Sequence, residues 1–181
     1  MQVISFIKRH ILSILFAAAA IYIMYLIFSF SAQNGTVSSS ASKGISHAIS
    51  EIIVKGFSSL SEAEKEARVE SLVPIVRKTA HFLIYCALAF FALLSPLTFF
   101  RENKSRVPRL KILISVALFC LCYAASDELH QMFVDGRDGN VLDVLLDFCG
   151  ALCGLAVSYI SYLVFCKIED KSTVKCQKYQ K

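Results

Sequence analysis

Charge is scarce in this chain. Only 18% of its 181 residues are Asp, Glu, Lys or Arg, against 56% hydrophobic residues, and the charged ones come in patches. A soluble domain of this length needs a polar coat around its core, and this composition does not provide one evenly. Alternation of apolar and polar residues is also lacking, which argues against a strand barrel. The sequence has no H-E-x2-H, no G-x-S-x-G and no P-loop, so the usual hydrolase and nucleotide motifs lend no direction. No inverted repeat is apparent, which disfavours a transporter. The seven cysteines, Cys86, Cys120, Cys122, Cys149, Cys153, Cys166 and Cys176, offer only C-x-C and C-x3-C spacings. Neither is a strong zinc or redox spacing, so they read as small packing residues with no disulfide framework.

What is present is four apolar blocks free of charge: residues 11–30, 82–100, 112–126 and 148–166. A helix crossing a bilayer needs roughly 20 residues at about 1.5 Å each, and lipid contact demands helices because unpaired backbone groups are too costly there. The third block is short and stops at Asp127, so Asp127 and Glu128 must sit near a helix end or face protein. The fourth reads best if its helix starts near Asn140, with Asp143 and Asp147 in its first turns. The expectation is a single all-α membrane domain over residues 1–181, a compact bundle of four transmembrane helices at 11–30, 79–99, 111–130 and 141–166. An outer loop over 31–77 is expected to be partly helical, and 167–181 to form a tail. Lys8, Arg9 and His10 precede the first block, but that block is longer than a signal h-region and no small-residue cleavage site follows, so it reads as an uncleaved span.

The basic residues orient the bundle. Lys8 and Arg9, then Arg101, Lys104, Arg106, Arg109 and Lys111, then Lys167, Lys171, Lys175, Lys178 and Lys181 all fall on one side of a four-span chain, which makes twelve of the nineteen Lys and Arg. The positive-inside rule places that side, with both termini, in the cytoplasm of a bacterial membrane protein. The formal charge of +5 is then a topology signal, and nucleic acid is not an expected partner. The oligomeric state is not readable.

In the outer loop, SAQNGTVSSSASK over residues 31–43 reads as a loop, and its Asn34-Gly35-Thr36 is a weak glycosylation match. Residues 44–60 suit a short helix lying on the membrane. Ser61 and Glu64 form a capping box ahead of a helical run, which Pro74 is expected to end or bend.

Three polar clusters flank the apolar blocks. In RKTAHFLIYCAL, residues 77–88, Arg77, His81 and Tyr85 are spaced i, i+4, i+8, and Lys78 is three before His81. Headgroup anchoring explains Arg77 and Lys78 but explains His81 poorly, since it lies within a span and should face protein or a wet cavity. At the end of span three, Glu128 and Gln131 are three apart and Asp127 and Gln131 four apart, so they can point into the bundle together, with His130 on another side. In VDGRDGNVLDVLLDFCGALCG, residues 134–154, Gly136 and Gly139 frame a turn. Asp143, Asp147, Gly150 and Gly154 then form one helical stripe ending in a G-x3-G close-contact surface. The four-span topology brings all three clusters to the outer surface.

The same stretches resemble the signature regions of the VanZ-like membrane proteins, the teicoplanin-resistance protein family. The elements are K-x2-H-F, DE-x2-Q, the Gly-Arg pair and D-x3-[ND]-x2-G, with SFSAQN at residues 29–34 similar to that family's Ser-Gln element. The resemblance runs in order along nearly the whole chain. It implies a bacterial envelope protein, with a link to glycopeptide tolerance. Its signature residues fall here on Lys78, His81, Asp127, Glu128, Gln131, Gly136, Arg137, Asp143 and Gly150. Two positions depart: Asp135 stands where members often have Pro, and Asp147 where many have Asn, which adds a possible charge to the pocket.

Two classes of function follow. In the first, the protein is an enzyme acting on phosphate- or sugar-bearing envelope lipids. Arg77, Lys78 and Arg137 would clamp phosphate, and Tyr85 and Gln131 would line the substrate. His81 would be the general acid or base, with Glu128 or Asp143 orienting it or activating water. Asp127 and Asp147, with Glu128 and Asp143 nearby, could hold a divalent cation. In the second class, the protein is non-catalytic, and the pocket binds a lipid-linked precursor or serves as a scaffold for envelope enzymes.

Overall fold

Helix α1, Gln2–Ser31, is the first apolar block extended at its N-terminus. Asn34 stops and restarts the chain: its backbone is extended and its side chain accepts from the Val37 N–H, capping α2, Gly35–Ile53. A single 3-10 turn, Phe57–Ser59, leads to α3, Glu62–Phe99. Helix α4 is Arg109–Gln131 and α5 is Val141–Lys178. The structure is a computed structural model that describes residues 2–101, 108–137 and 139–178, with side chains at residue 7 and residues 9–101, 108–137 and 139–168. The side chains of Lys8, Lys104, Arg106, Asp138, Cys176 and the tail lysines from Lys171 onward lie outside it.

Four of these helices, α1, α3, α4 and α5, contain stretches long and apolar enough to cross a membrane, and no strand occurs among the described residues. The protein is a four-span, all-α membrane protein. Cross-contacts give the helix directions. Ser13 of α1 donates to the Ser95 carbonyl of α3, and the Tyr123 hydroxyl of α4 donates to the Met24 carbonyl of α1. At the other end of α1, Ser31 meets Gln131. Helices α1 and α4 therefore run one way, α3 and α5 the other.

The seam between α3 and α5 is the closest in the bundle. A Cβ on Gly150 would strike the Phe82 carbonyl, and one on Gly154 the Cys86 carbonyl. Ser158, four residues further, donates to the Phe90 carbonyl at 2.9 Å. The small-residue stripe of α5 thus lies against an i, i+4, i+8 row of α3 backbone, as expected when small residues let transmembrane helices approach. Below it Ala89, Leu93, Leu97, Ile112, Cys120, Leu155 and Tyr162 form an apolar core.

Two local expectations are corrected, the loop over residues 35–43 and a helix end at Pro74. Residues 35–43 are helix, not loop. Ser42, Ser46 and Ser50 recur every four residues and are buried, and Ser42 and Ser50 donate back to the carbonyls of Ser38 and Ser46. A serine whose hydroxyl bonds within its own helix can be buried as a small residue, so tertiary packing overrides a loop-like composition. Pro74 does not end its helix either: α3 is continuous through Pro74 and Pro96. An interior proline costs about 3 kcal/mol locally, and Val69 and Val73, on the turns before Pro74, are buried. The capping box of Ser61 and Glu64 is present. At about 1.5 Å per residue, the 38 residues of α3 exceed what one span needs. Its first turns lie against α2, where Lys43 pairs with Glu66 at 3.1 Å and Glu70 at 2.8 Å.

Candidate functional site

The helix directions gather the end of α1, the middle of α3, the end of α4 and the start of α5. Their polar side chains line a cavity of about 150 Å³, walled by Arg77, Lys78, His81, Glu128, Gln131, Gly136, Arg137, Asp143, Leu146 and Asp147. Every candidate catalytic or binding residue read from the sequence lines it except Tyr85, which is fully buried in the bundle. Asp127 is also buried, behind the wall.

Each wall is held by specific bonds. Lys78 Nζ meets Asp143 Oδ1 at 2.6 Å, joining α3 to α5. Glu128 Oε1 accepts from the Asn140 N–H at 2.6 Å, and the Asn140 side chain accepts from the Leu142 N–H, so a buried α4 carboxylate fixes the entry to α5. Gln131 Nε2 donates both to Asp127 Oδ2 at 3.1 Å and to Ser31 Oγ at 3.2 Å. His81 Nδ1 lies 3.7 Å from Asp147 Oδ2. His130 points elsewhere, stacked on Phe28 of α1 at 5.0 Å between ring centroids.

Between α4 and α5 the chain turns at Gly136, whose φ of +74° is a left-handed conformation that glycine adopts without steric cost. That turn presses on the joint between α1 and α2: the Gly35 N–H donates to the Asp135 carbonyl at 3.1 Å, and a Cβ on Gly35 would strike the Gly136 carbonyl. The turn also delivers Arg137. One of its terminal nitrogens donates to the Phe30 carbonyl at 2.8 Å, a second bond on a carbonyl at the end of α1 that also accepts from the Gln33 N–H. Its Nε is buried with no partner. Burial, and then the positive charge of Arg77, hold the Arg137 guanidinium below its usual pKa. An anion seated between the two arginines would relieve both effects.

Arg77, His81 and Arg137 have a second neighbour. They also line a larger groove of about 540 Å³ between α1, α2 and α3, whose other walls include Ile27, Phe30, Val37, Ala41, Ile45, Val76, Ala80 and Ile84. A small polar cavity and an apolar groove therefore share three basic side chains. The sequence reading missed this groove because its α2 wall had been read as loop. It also gave Ser31 no role of its own, although the SFSAQN element was noted; Ser31 is fully buried and closes the Gln131–Asp127 chain.

A four-helix membrane bundle with a polar cluster at one end of its seam is a class, and a family follows from comparison. The model of the VanZ/LLP1 family matches residues 16–164. That covers most of the chain, and the protein belongs to this family. No curated protein and no solved structure matches it.

Proposed function

We propose that the protein binds and chemically modifies the phosphate-bearing head group of an envelope lipid at the outer face of the bacterial cytoplasmic membrane, with both termini inside. The observation that carries this reading is the polar cavity joined to the apolar groove through Arg77, His81 and Arg137. A lipid needs both: a donor-rich site for its head and an apolar slot for its chain. The unpartnered Arg137 Nε and the guanidinium of Arg77 supply charge-assisted donors suited to phosphate. Lys78 stands at the rim, paired with Asp143. His81, on the wall common to head and chain, takes or gives the proton at the reacting group. Glu128 and Asp143 hold the helices around it. A link to glycopeptide tolerance would follow from altered envelope lipids.

Purified protein in nanodiscs, incubated with an envelope lipid extract, tests this by mass spectrometry of the lipids. Expected is a new lipid species bearing a changed head group, absent with His81→Ala at equal abundance and equal melting temperature. Equal turnover by His81→Ala removes His81 from the chemistry. A phosphate lipid that copurifies unchanged, and is lost in Arg77→Gln/Arg137→Gln, favours the non-catalytic binding protein. The Lys78–Asp143 and Glu128–Asn140 bonds speak for that second reading, since they clasp α3, α4 and α5 whatever the pocket does.

A further inference from the structure

Behind the cavity wall lies a smaller constellation. His81 on α3, Asp127 on α4 and Asp147 on α5 each bring one ligand atom within 4.8 Å of the others. We infer that these three side chains form a binding site for one divalent transition-metal ion at the floor of the polar cavity.

Three observations carry it. The first is charge. Asp127 and Asp147 are both buried, Asp147 with only 1% of its surface exposed. Neither pairs with a lysine or arginine among the described residues: Lys78 is on Asp143, and Arg137 donates to the Phe30 carbonyl. The positive groups nearest them are His81, an ion-pair partner of Asp147 at 3.7 Å only when protonated, and Arg137, which acts on Asp127 through space; two buried carboxylates so weakly opposed are costly, and either a proton on the cluster or a metal compensates them. The second is unmet valence. Asp147 Oδ1 has no hydrogen-bond partner, and the hydroxyl of Tyr85, which is 0% exposed, makes at most a long contact to the Asp127 carboxylate. The third is distance. His81 Nδ1 and Asp147 Oδ2, at 3.7 Å, are too far apart for a hydrogen bond. Two ligands about 2.1 Å from a tetrahedral ion would stand roughly 3.4 Å apart, so small side-chain adjustments bring the set into coordination range.

The donor set selects the metal. One imidazole and two carboxylates suit zinc, manganese or iron(II), whereas magnesium and calcium prefer oxygen alone. Asp127 is already oriented by Gln131, and Gln131 by Ser31, the kind of outer support that fixes ligating carboxylates. Three protein ligands leave a position free, and His81 and Asp147 face the cavity. The ion would act as a Lewis acid on a group held there. The inference rests on the cavity of the proposed function but revises one role, since His81 as a ligand would hold the ion instead of exchanging the proton; the site itself does not depend on a lipid.

The test therefore uses no lipid. Protein purified in detergent is stripped with a chelator, dialysed against Zn²⁺, and its metal content measured. Co²⁺ loading is followed by visible absorption. Expected is close to one equivalent of Zn²⁺, a higher melting temperature with Zn²⁺ that chelator reverses, and a Co²⁺ spectrum of nitrogen and oxygen ligation. Asp147→Asn and His81→Gln should each weaken binding at least tenfold. His47→Ala removes the exposed His47–Glu51 pair on α2 and should leave binding unchanged. Less than a tenth of an equivalent on wild type overturns the site and favours a shared proton. So does binding that is lost in His47→Ala and kept in Asp147→Asn. If Asp147→Asn does not fold, wild-type stoichiometry and the Co²⁺ spectrum alone decide. Metal bound without lipid turnover would leave the site standing and the proposed function in question.

Discussion

The seam between α3 and α5 has two halves that share one register and differ in chemistry. From Lys78 to His81 on α3, and Asp143 to Asp147 on α5, the contacts are ionic or polar and open onto a cavity. From Cys86 downward, facing Gly154 and beyond, the contacts are backbone against small residues and then Leu93, Leu97 and Leu155. The lower half has what a membrane bundle needs, because in lipid the association comes from close packing. The upper half has what a bundle does not need. Buried ionic groups can often be exchanged for apolar ones without loss of stability. Their presence at one end only, beside a cavity, is what the ligand of the proposed function would account for.

The largest test of this contrast is in the lower half. Gly154→Leu puts a branched side chain where even a Cβ meets the Cys86 carbonyl, and backbone cannot give way as a flexible side chain can. Expected is a loss above about 3 kcal/mol, seen as collapse of the monodisperse peak in gel filtration and of the melting transition. A variant melting like wild type would mean that the α3–α5 contact is looser than described.

A smaller effect is expected in the upper half. Lys78→Met and Asp143→Leu each leave a charge unpaired at a half-exposed site, and the double substitution restores neutrality. The coupling from the double-mutant cycle should be about 1 kcal/mol or less, with the double variant within error of wild type in melting temperature. If both singles and the double are equally damaging, the pair is needed for folding and the contrast between the halves weakens.

The smallest effect lies outside the seam. Glu70 first, then Glu66, hold the Lys43 ammonium above the ordinary lysine pKa. A raised lysine contributes stability that is fully present below the unfolded value and lost as pH rises through the folded one. The melting difference between wild type and Lys43→Met should therefore be constant from pH 7 up to the ordinary lysine pKa and fall away as pH rises through the raised folded value. It should also shrink in high salt, since the site is exposed. A difference independent of pH and salt would assign Lys43 a packing role instead.

How far the sequence could be read depends on whether the relevant physics is local. Hydropathy is local, and it marked the four apolar blocks and the odd placement of His81 inside the span expected over 79–99. The i, i+4 stripe of Asp143, Asp147, Gly150 and Gly154 showed a face of α5, though not what covered it. The residues of 31–43 misled because serine composition favours loops, whereas here a partner helix buries Ser42, Ser46 and Ser50. Pro74 misled for a similar reason: the packing of Val69 and Val73 is invisible in the local sequence.

By itself the sequence determined a four-span helical membrane protein whose polar clusters share one end. Transfer into lipid and chain alternation are additive along the chain, so they need no knowledge of partners. Only the tertiary structure decided which polar atoms meet. The rotation of each helix about its axis is set by contacts such as Gly150 on Phe82 and Gly154 on Cys86. That rotation places Asp127 behind the wall with His81 and Asp147, spends one Arg137 nitrogen on the end of α1, and opens an apolar groove against α2. These are relations between residues as many as a hundred positions apart, such as Ser31 and Gln131, and no local pattern encodes them.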